Sequence, residues 1–237
     1  MIAHFVDPDF GTVEVHLRRG MRRLIVKWKD NHLLVTAPQL MSGNEIIAAF
    51  NALKPQLLSF KRPAVSYHLG QVITCLGCSV TISCDLKLRK GICSFGRINP
   101  TEFYIHMPEG ADFQSFSAQK TISEMLKKLM RRAAGDTLIP LARQVAAELG
   151  VACGSITLGR GMKKLGHCSL QKDIQLSSNL MFLPEHLVRY VICHELAHVT
   201  HLNHSAAFHA LVNEYVDGKE RELERELRAF SWPILRY

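Results

Sequence analysis

The sequence predicts an α+β protein, with a β-rich N-terminal region over residues 1–110 that carries one helix (Asn44–Phe60), then a helical region with a small sheet over residues 111–237. Three observations carry this. Apolar and polar residues alternate over 13–38, and short β-rich runs return over 67–107, as in strands with one buried face. Apolar residues recur every three or four positions over 42–60, 113–149 and 184–201, the spacing of helices. The last of these stretches contains His194-Glu195-Leu196-Ala197-His198, in which two histidines fall one helical turn apart.

Taken in order, VEVHLRRGMRRLIVKWKDNHLLVTAP (13–38) alternates around two turn signals, Gly20 and Asp30-Asn31, and predicts a β-meander. Over 42–60 the residues Ile46, Ile47, Phe50, Leu53, Leu57 and Leu58 form one stripe. Ser42 or Asn44 can cap that helix, and Pro63 ends it. The strand runs that follow are punctuated by Gly70, Gly77, Gly91, Gly96 and Pro100. Within them Cys75 and Cys78 form a C-x-x-C. A zinc ribbon needs a second close pair, whereas Cys84 and Cys93 stand apart in strand-like runs, so these cysteines are expected to be buried structural thiols.

From 113 to 149 the apolar positions Ile122, Met125, Leu126, Leu129, Met130, Leu138, Leu141, Val145 and Leu149 predict one long helix. It is expected to bend near Gly135 or Pro140 and to close at Gly150. SITLGR (155–160) and DIQLSS (173–178) predict two short strands joined by a turn through Gly161 and Gly166. An edge of such a sheet can pair with an extended peptide. Pro184 and Glu185 suit the first turn of a further helix, expected to run to about His201. Asn203 is expected to turn the chain through a left-handed conformation and Ser205 to cap the next helix. The last segment, from Asp217, predicts a solvated helix with a hydrophobic tail and no catalytic role. No internal repeat is visible.

Composition bounds the function. Hydrophobic residues make up 47% of 237, enough for a full core. No run of 18 apolar residues occurs and MIAHFVDPDF lacks the parts of a signal peptide, so no membrane partner is expected. Seven cysteines, an odd number, fit reduced thiols and a cytoplasmic location. The charge of +8 is spread over clusters at Arg18, Arg19, Arg22, Arg23, Lys27 and Lys29, at Lys87, Arg89 and Lys90, and at Lys127, Lys128, Arg131 and Arg132. Without interleaved aromatic rings these predict solvated faces, with weak nucleic-acid association through the basic N-terminal region as the alternative.

The H-E-x-x-H run carries the chemistry. On a helix His194 and His198 share a face and can grip one ion, while Glu195 points beside them, where its carboxylate can take a proton from a water next to the metal. A catalytic zinc takes three protein ligands and keeps an open position, and His204 is the best third candidate. With 12 histidines in 237 residues, chance arrangement gives H-E-x-x-H in about 3% of shuffles, and about 0.2% with a histidine at the added offset. His201 stands where metzincins have glycine; it is expected to stabilise the helix end or support a ligand, with ligation in place of His204 as the alternative. Cys193 is expected in the core, and Tyr190 in the core or donating to a developing oxyanion. Glu214, Asp217 or Asp173 can orient a ligand imidazole. The arrangement predicts a zincin-like domain, a zinc metallopeptidase acting on peptide or protein substrates through a zinc-polarised water deprotonated by Glu195. A nucleic-acid-associated module and a metal-dependent phosphoanhydride hydrolase are the alternatives.

The chain also resembles a known family, the YgjP-like metallopeptidase domain, related to the SprT and WLM groups of zincins. The likeness covers nearly the whole chain: a basic strand-rich start (13–38), the helix Asn44–Phe60, an HLG-containing strand region, a long helix, and YVICHELAHVTHLNHSAAFHALV (190–212). The family pattern falls on His194, Glu195, Leu196, His198, His201, Asn203, His204, Ser205 and Phe208. The resemblance implies a zinc-dependent peptidase with His194, His198 and His204 as ligands and Glu195 as base. Two departures bear on substrate: Leu165-Gly166-His167-Cys168 stands where the family has W-G-S-C, and Phe208-His209 where it has F-W. His167 is expected to be an exposed turn histidine.

Overall fold

Period-two alternation becomes one-sided burial when Val13 and Val15 on one strand lie beside Leu33 and Val35 on another, all four almost fully buried. The structure, a computed structural model, describes residues 2–29, 32–59, 66–86, 92–113, 115–159 and 164–235. Asp30-Asn31, Pro63, Gly91, Gly161 and the Lys87–Lys90 cluster lie outside the described residues. Two compact units result, one of Met1–Ala64 and one of Val65–Leu235.

The first unit holds β1 (Ile2–Asp7), β2 (Gly11–Arg18), β3 (Ile25–Lys29), β4 (His32–Pro38) and α1 (Gly43–Ser59). Its strand order is β1-β2-β4-β3, with a parallel central pair β2–β4 flanked by antiparallel neighbours. The meander expectation is thereby corrected. Alternation shows which face a strand buries but not which strand lies beside it, and β4, not β3, takes the place next to β2. Ile46 and Phe50 of α1 complete the core, with Phe5 and Phe10 edge-on to the Phe50 ring. Ser42 and Glu45 form a reciprocal cap at its start, the Ser42 N–H donating to the Glu45 carboxylate at 2.7 Å. Lys54 reaches back from the helix to Asp7 at 2.8 Å and Asp9 at 2.6 Å.

The second unit begins with the same pattern. Its strands β5 (Val72–Cys75), β6 (Cys78–Asp85), β7 (Ser94–Asn99) and β8 (Glu102–Pro108) run in the order β5-β6-β8-β7, again with a parallel central pair. Val80 lies beside Phe103 and Ile82 beside Ile105, all buried. A ββββα arrangement therefore occurs twice, a repeat of topology invisible in the residues. The helix that follows, α2 (Phe116–Glu148), runs through Gly135 and Pro140, is capped by Ser115 accepting from the Ala118 N–H, and ends before Gly150 at φ 65°. Its buried stripe, from Ile122 through Leu126, Met130 and Leu138 to Val145, joins the second sheet to the rest of one core. This shared core is why strands 72–108 belong with the C-terminal elements.

A three-stranded sheet, a 3₁₀ turn (Ser178–Phe182) and three helices follow. The sheet is β9 (Ile156–Gly159), β10 (Gly166–Cys168) and β11 (Ile174–Ser177) in the order β10-β11-β9. The segment around Gly166 is thus a strand antiparallel to β11, not a turn, and exposed His167 sits on it. The helices are α3 (Glu185–Ala197), α4 (Ala206–Tyr215) and α5 (Glu220–Ala229). The tail after α5 packs on the unit: Ile234 is buried, Tyr67 donates to the Pro233 carbonyl at 2.7 Å, and the Leu235 N–H donates to Ser123 at 2.8 Å. Among the described residues no helix is long and apolar enough to cross a membrane.

Candidate metal centre

α3 is apolar around most of its circumference, and Leu187, Val188, Ile192, Leu196 and Ala197 are fully buried. That packing fixes the backbone that aims its polar residues. Pro184 stands one residue earlier than expected, as N-cap, and the helix ends at Ala197 with His198 as its C-cap. His198 keeps helical dihedrals, φ −66° and ψ −17°, so its ring still follows His194 by one turn. Because the helix stops here, His201 lies beyond it. Its backbone carbonyl accepts a hydrogen bond from His198 Nδ1 at 2.9 Å, which leaves the His198 Nε2 lone pair free to face the site.

Asn203 does not take the left-handed conformation; among non-glycine described residues only Lys172 and Asp217 do. The return is made instead by α4. Ser205 caps it by accepting from the Phe208 N–H at 3.3 Å, and His204 just before the cap places Nε2 at 3.1 Å from His194 Nε2. The ligand-capable atoms of His194, His198 and His204 all lie within 4.8 Å of one another.

Phe208 holds this cluster together. Its buried ring stacks on His198 at 4.4 Å between centroids and meets His194 at 4.9 Å and His204 at 4.8 Å edge-on. Three imidazoles thus pack around one aromatic platform that limits their rotamers. Burial, with the neighbouring histidines, pushes His194 down to about 4, and burial lowers His198 as well, so both rings stay neutral near pH 7. Neutral imidazoles are metal ligands, whereas two such nitrogens facing each other at 3.1 Å repel unless a proton or cation lies between them. Nitrogens bound tetrahedrally to one ion stand about 3.4 Å apart, close to the His194–His204 separation, so the three imidazoles fit a metal ion.

Glu195 is buried beside the cluster, and burial pushes its carboxyl up to about 7, against the opposing charge of Lys164. The shelf under it is Gly166 of β10, where a Cβ would fall 2.4 Å from Glu195 Oε1 and 2.5 Å from its Cγ. Only glycine leaves room for the carboxylate in this position. The sequence marked Gly166 as a turn signal, and nothing in the local pattern showed what it faces. Phe208 was likewise visible only as part of the family pattern.

The other candidates take structural places. Cys193 is core, its thiol pushed up to about 11 by burial. Tyr190 is buried and edge-on to His194 at 6.4 Å, with burial pushing its hydroxyl up to about 12. Asp173 is taken up by the N–H and hydroxyl of Ser155, and Asp217 ends α4 in a left-handed conformation. The carboxylate that reaches a histidine near the cluster is Glu220, 2.7 Å from His209 Nδ1.

Comparisons with known proteins complete this picture. Residues 22–230 match the family model described as YgjP-like, metallopeptidase domain. No curated protein matches. Similar solved structures include two metallopeptidase zymogens. Jannalysin of Methanocaldococcus jannaschii is 21% identical over 39% of this chain and 94% of its own, with a TM-score of 0.35. Abylysin of Pyrococcus abyssi is 20% identical over 42% of this chain and 100% of its own, with a TM-score of 0.36. Likenesses this slight carry no argument, but the family match runs from before β3 to just past α5 and takes in the whole histidine cluster. The chain belongs to the YgjP-like family of metallopeptidase domains and is a metallohydrolase.

Proposed function

We propose that the chain is a zinc peptidase in which His194, His198 and His204 hold the ion and Glu195 is the general base. The observation that carries this is the convergence of three imidazoles, with a buried carboxylate on the residue that follows His194. Bound there, zinc supplies a Lewis acid and makes a nearby water acidic enough to react near neutral pH. Glu195 accepts the proton from that water on its carboxylate and returns it to the departing amine nitrogen. Gly166 keeps the carboxylate in place. The outer edge of β10 pairs with no strand among the described residues, and an extended peptide backbone can be added there, alongside Glu195. All seven cysteines are free, which supports a reducing, cytoplasmic setting.

The test is Glu195→Gln. It is expected to leave zinc stoichiometry unchanged and to lower kcat on a peptide library by about 10²–10⁴-fold. Turnover equal to the parent would remove Glu195 as base. Independently of activity, His204→Ala should lower bound zinc after dialysis, and full retention would remove it as a ligand.

A further inference from the structure

Cys75 and Cys78 end β5 and begin β6, and they are direct partners in the register of that hairpin. Between them lies a two-residue turn, Leu76-Gly77, whose glycine takes φ 66°. Directly opposed residues on antiparallel strands have Cα atoms about 4.5–5.5 Å apart, within the roughly 4.4–6.8 Å range a disulfide spans. Their register thus places the two Cα atoms within the span of a bridge. Among the described residues no other cysteine pair is matched in strand register.

We propose that Cys75 and Cys78 form a thiol–disulfide exchange site that reacts with small-molecule disulfides of the glutathione class. The two thiols differ as such a site requires. Cys75 is 5% exposed, whereas Cys78 is half-buried, with its Sγ 4.0 Å from Met130 Sδ. A hydrogen bond from Cys75 lowers the Cys78 thiol, helped by the Arg97 charge, while the same bond and burial raise Cys75. Burial instead raises Cys93, Cys168 and Cys193. A bridge across so short a loop removes little chain entropy, so its role is exchange rather than stapling.

The chemistry balances as follows. The Cys78 thiolate attacks one sulfur of the small disulfide, whose S–S bond breaks and whose other half leaves as a thiolate that takes up a proton. Cys75 then loses its proton to water, and its thiolate attacks the Cys78 sulfur and displaces the second small thiol. Two cysteine thiols are oxidised and one small disulfide is reduced to two thiols.

The full chain is incubated with oxidised glutathione and mapped by mass spectrometry. The peptide carrying Cys75 and Cys78 is expected to lose two hydrogens, and Cys75→Ser to stop at a glutathione adduct on Cys78. Should that variant not fold, alkylation of the reduced parent decides: Cys78 should react at least about tenfold faster than Cys75. Oxidation mapped to other cysteines with this pair left reduced, or equal alkylation rates, overturns the proposal.

Discussion

Two regions of the molecule share one topology and put it to different use. In both, a parallel central pair buries alternate residues under the helix that follows it: Val13 and Val15 with Leu33 and Val35 under α1, Val80 and Ile82 with Phe103 and Ile105 under α2. The difference lies in the helix. α1 has 17 residues and α2 has 33, about 25 Å against about 50 Å at 1.5 Å per residue. The short helix matches its sheet and closes a small core. The long one continues beyond its sheet and packs against the 3₁₀ turn and α3, the helix that carries His194 and has His198 as its C-cap. One extension thus turns a self-contained unit into a scaffold for a metal site.

The contrast predicts where a cavity in each core is felt. Phe208→Ala removes the platform under three imidazoles and should cost about 3–5 kcal/mol. Bound zinc should fall with it, and full zinc retention would show that the ring does not position the ligands. Phe50→Ala makes a cavity of comparable cost, again about 3–5 kcal/mol, but in the first unit. Amide exchange in β2 and β4 should rise while zinc content holds; metal loss here would erase the distinction between the two units.

Gly166→Ala tests the second unit more finely. Displacing the Glu195 carboxylate by about 1 Å should lower kcat by about 10²-fold with zinc retained, and parent-like kcat would dismiss the glycine shelf. The smallest effect concerns acid and the first unit. Burial works to raise the Asp7 carboxyl, but the Lys54 hydrogen bond and the N–H groups of Asp9 and Phe10 outweigh it and hold it below 3.8. Its stabilisation is therefore present above that value and lost as the pH falls through the lowered one. Asp7→Asn should cost about 1 kcal/mol near neutral pH and flatten the acid limb of the first unit's unfolding; an unchanged limb would assign that limb to other groups.

Much of this was legible because it is local. The Ser42 cap, the span of α2, its closure at Gly150 and the turn of helix between His194 and His198 follow from residues a few positions apart. The strand order did not follow, nor did the length of α3, since Val199 and His201 continue its apolar and polar rhythm although the helix ends at Ala197. β10 is three residues long and has no periodicity to read. Asn203 suits a left-handed turn by type, yet it does not take one, and Ser205 two residues on caps α4.

By itself the sequence determined the residue types able to hold a metal, their spacing on one helix, and the alternation that gives each sheet a buried face. These depend on helical pitch and strand pleat, which a short stretch specifies. Only the tertiary structure decided that Phe208 underlies all three imidazoles, that the His201 carbonyl orients His198, that Gly166 faces Glu195, and that Cys75 and Cys78 are strand partners. Each of these depends on which backbone comes to lie against which, and that is set by how the whole core packs.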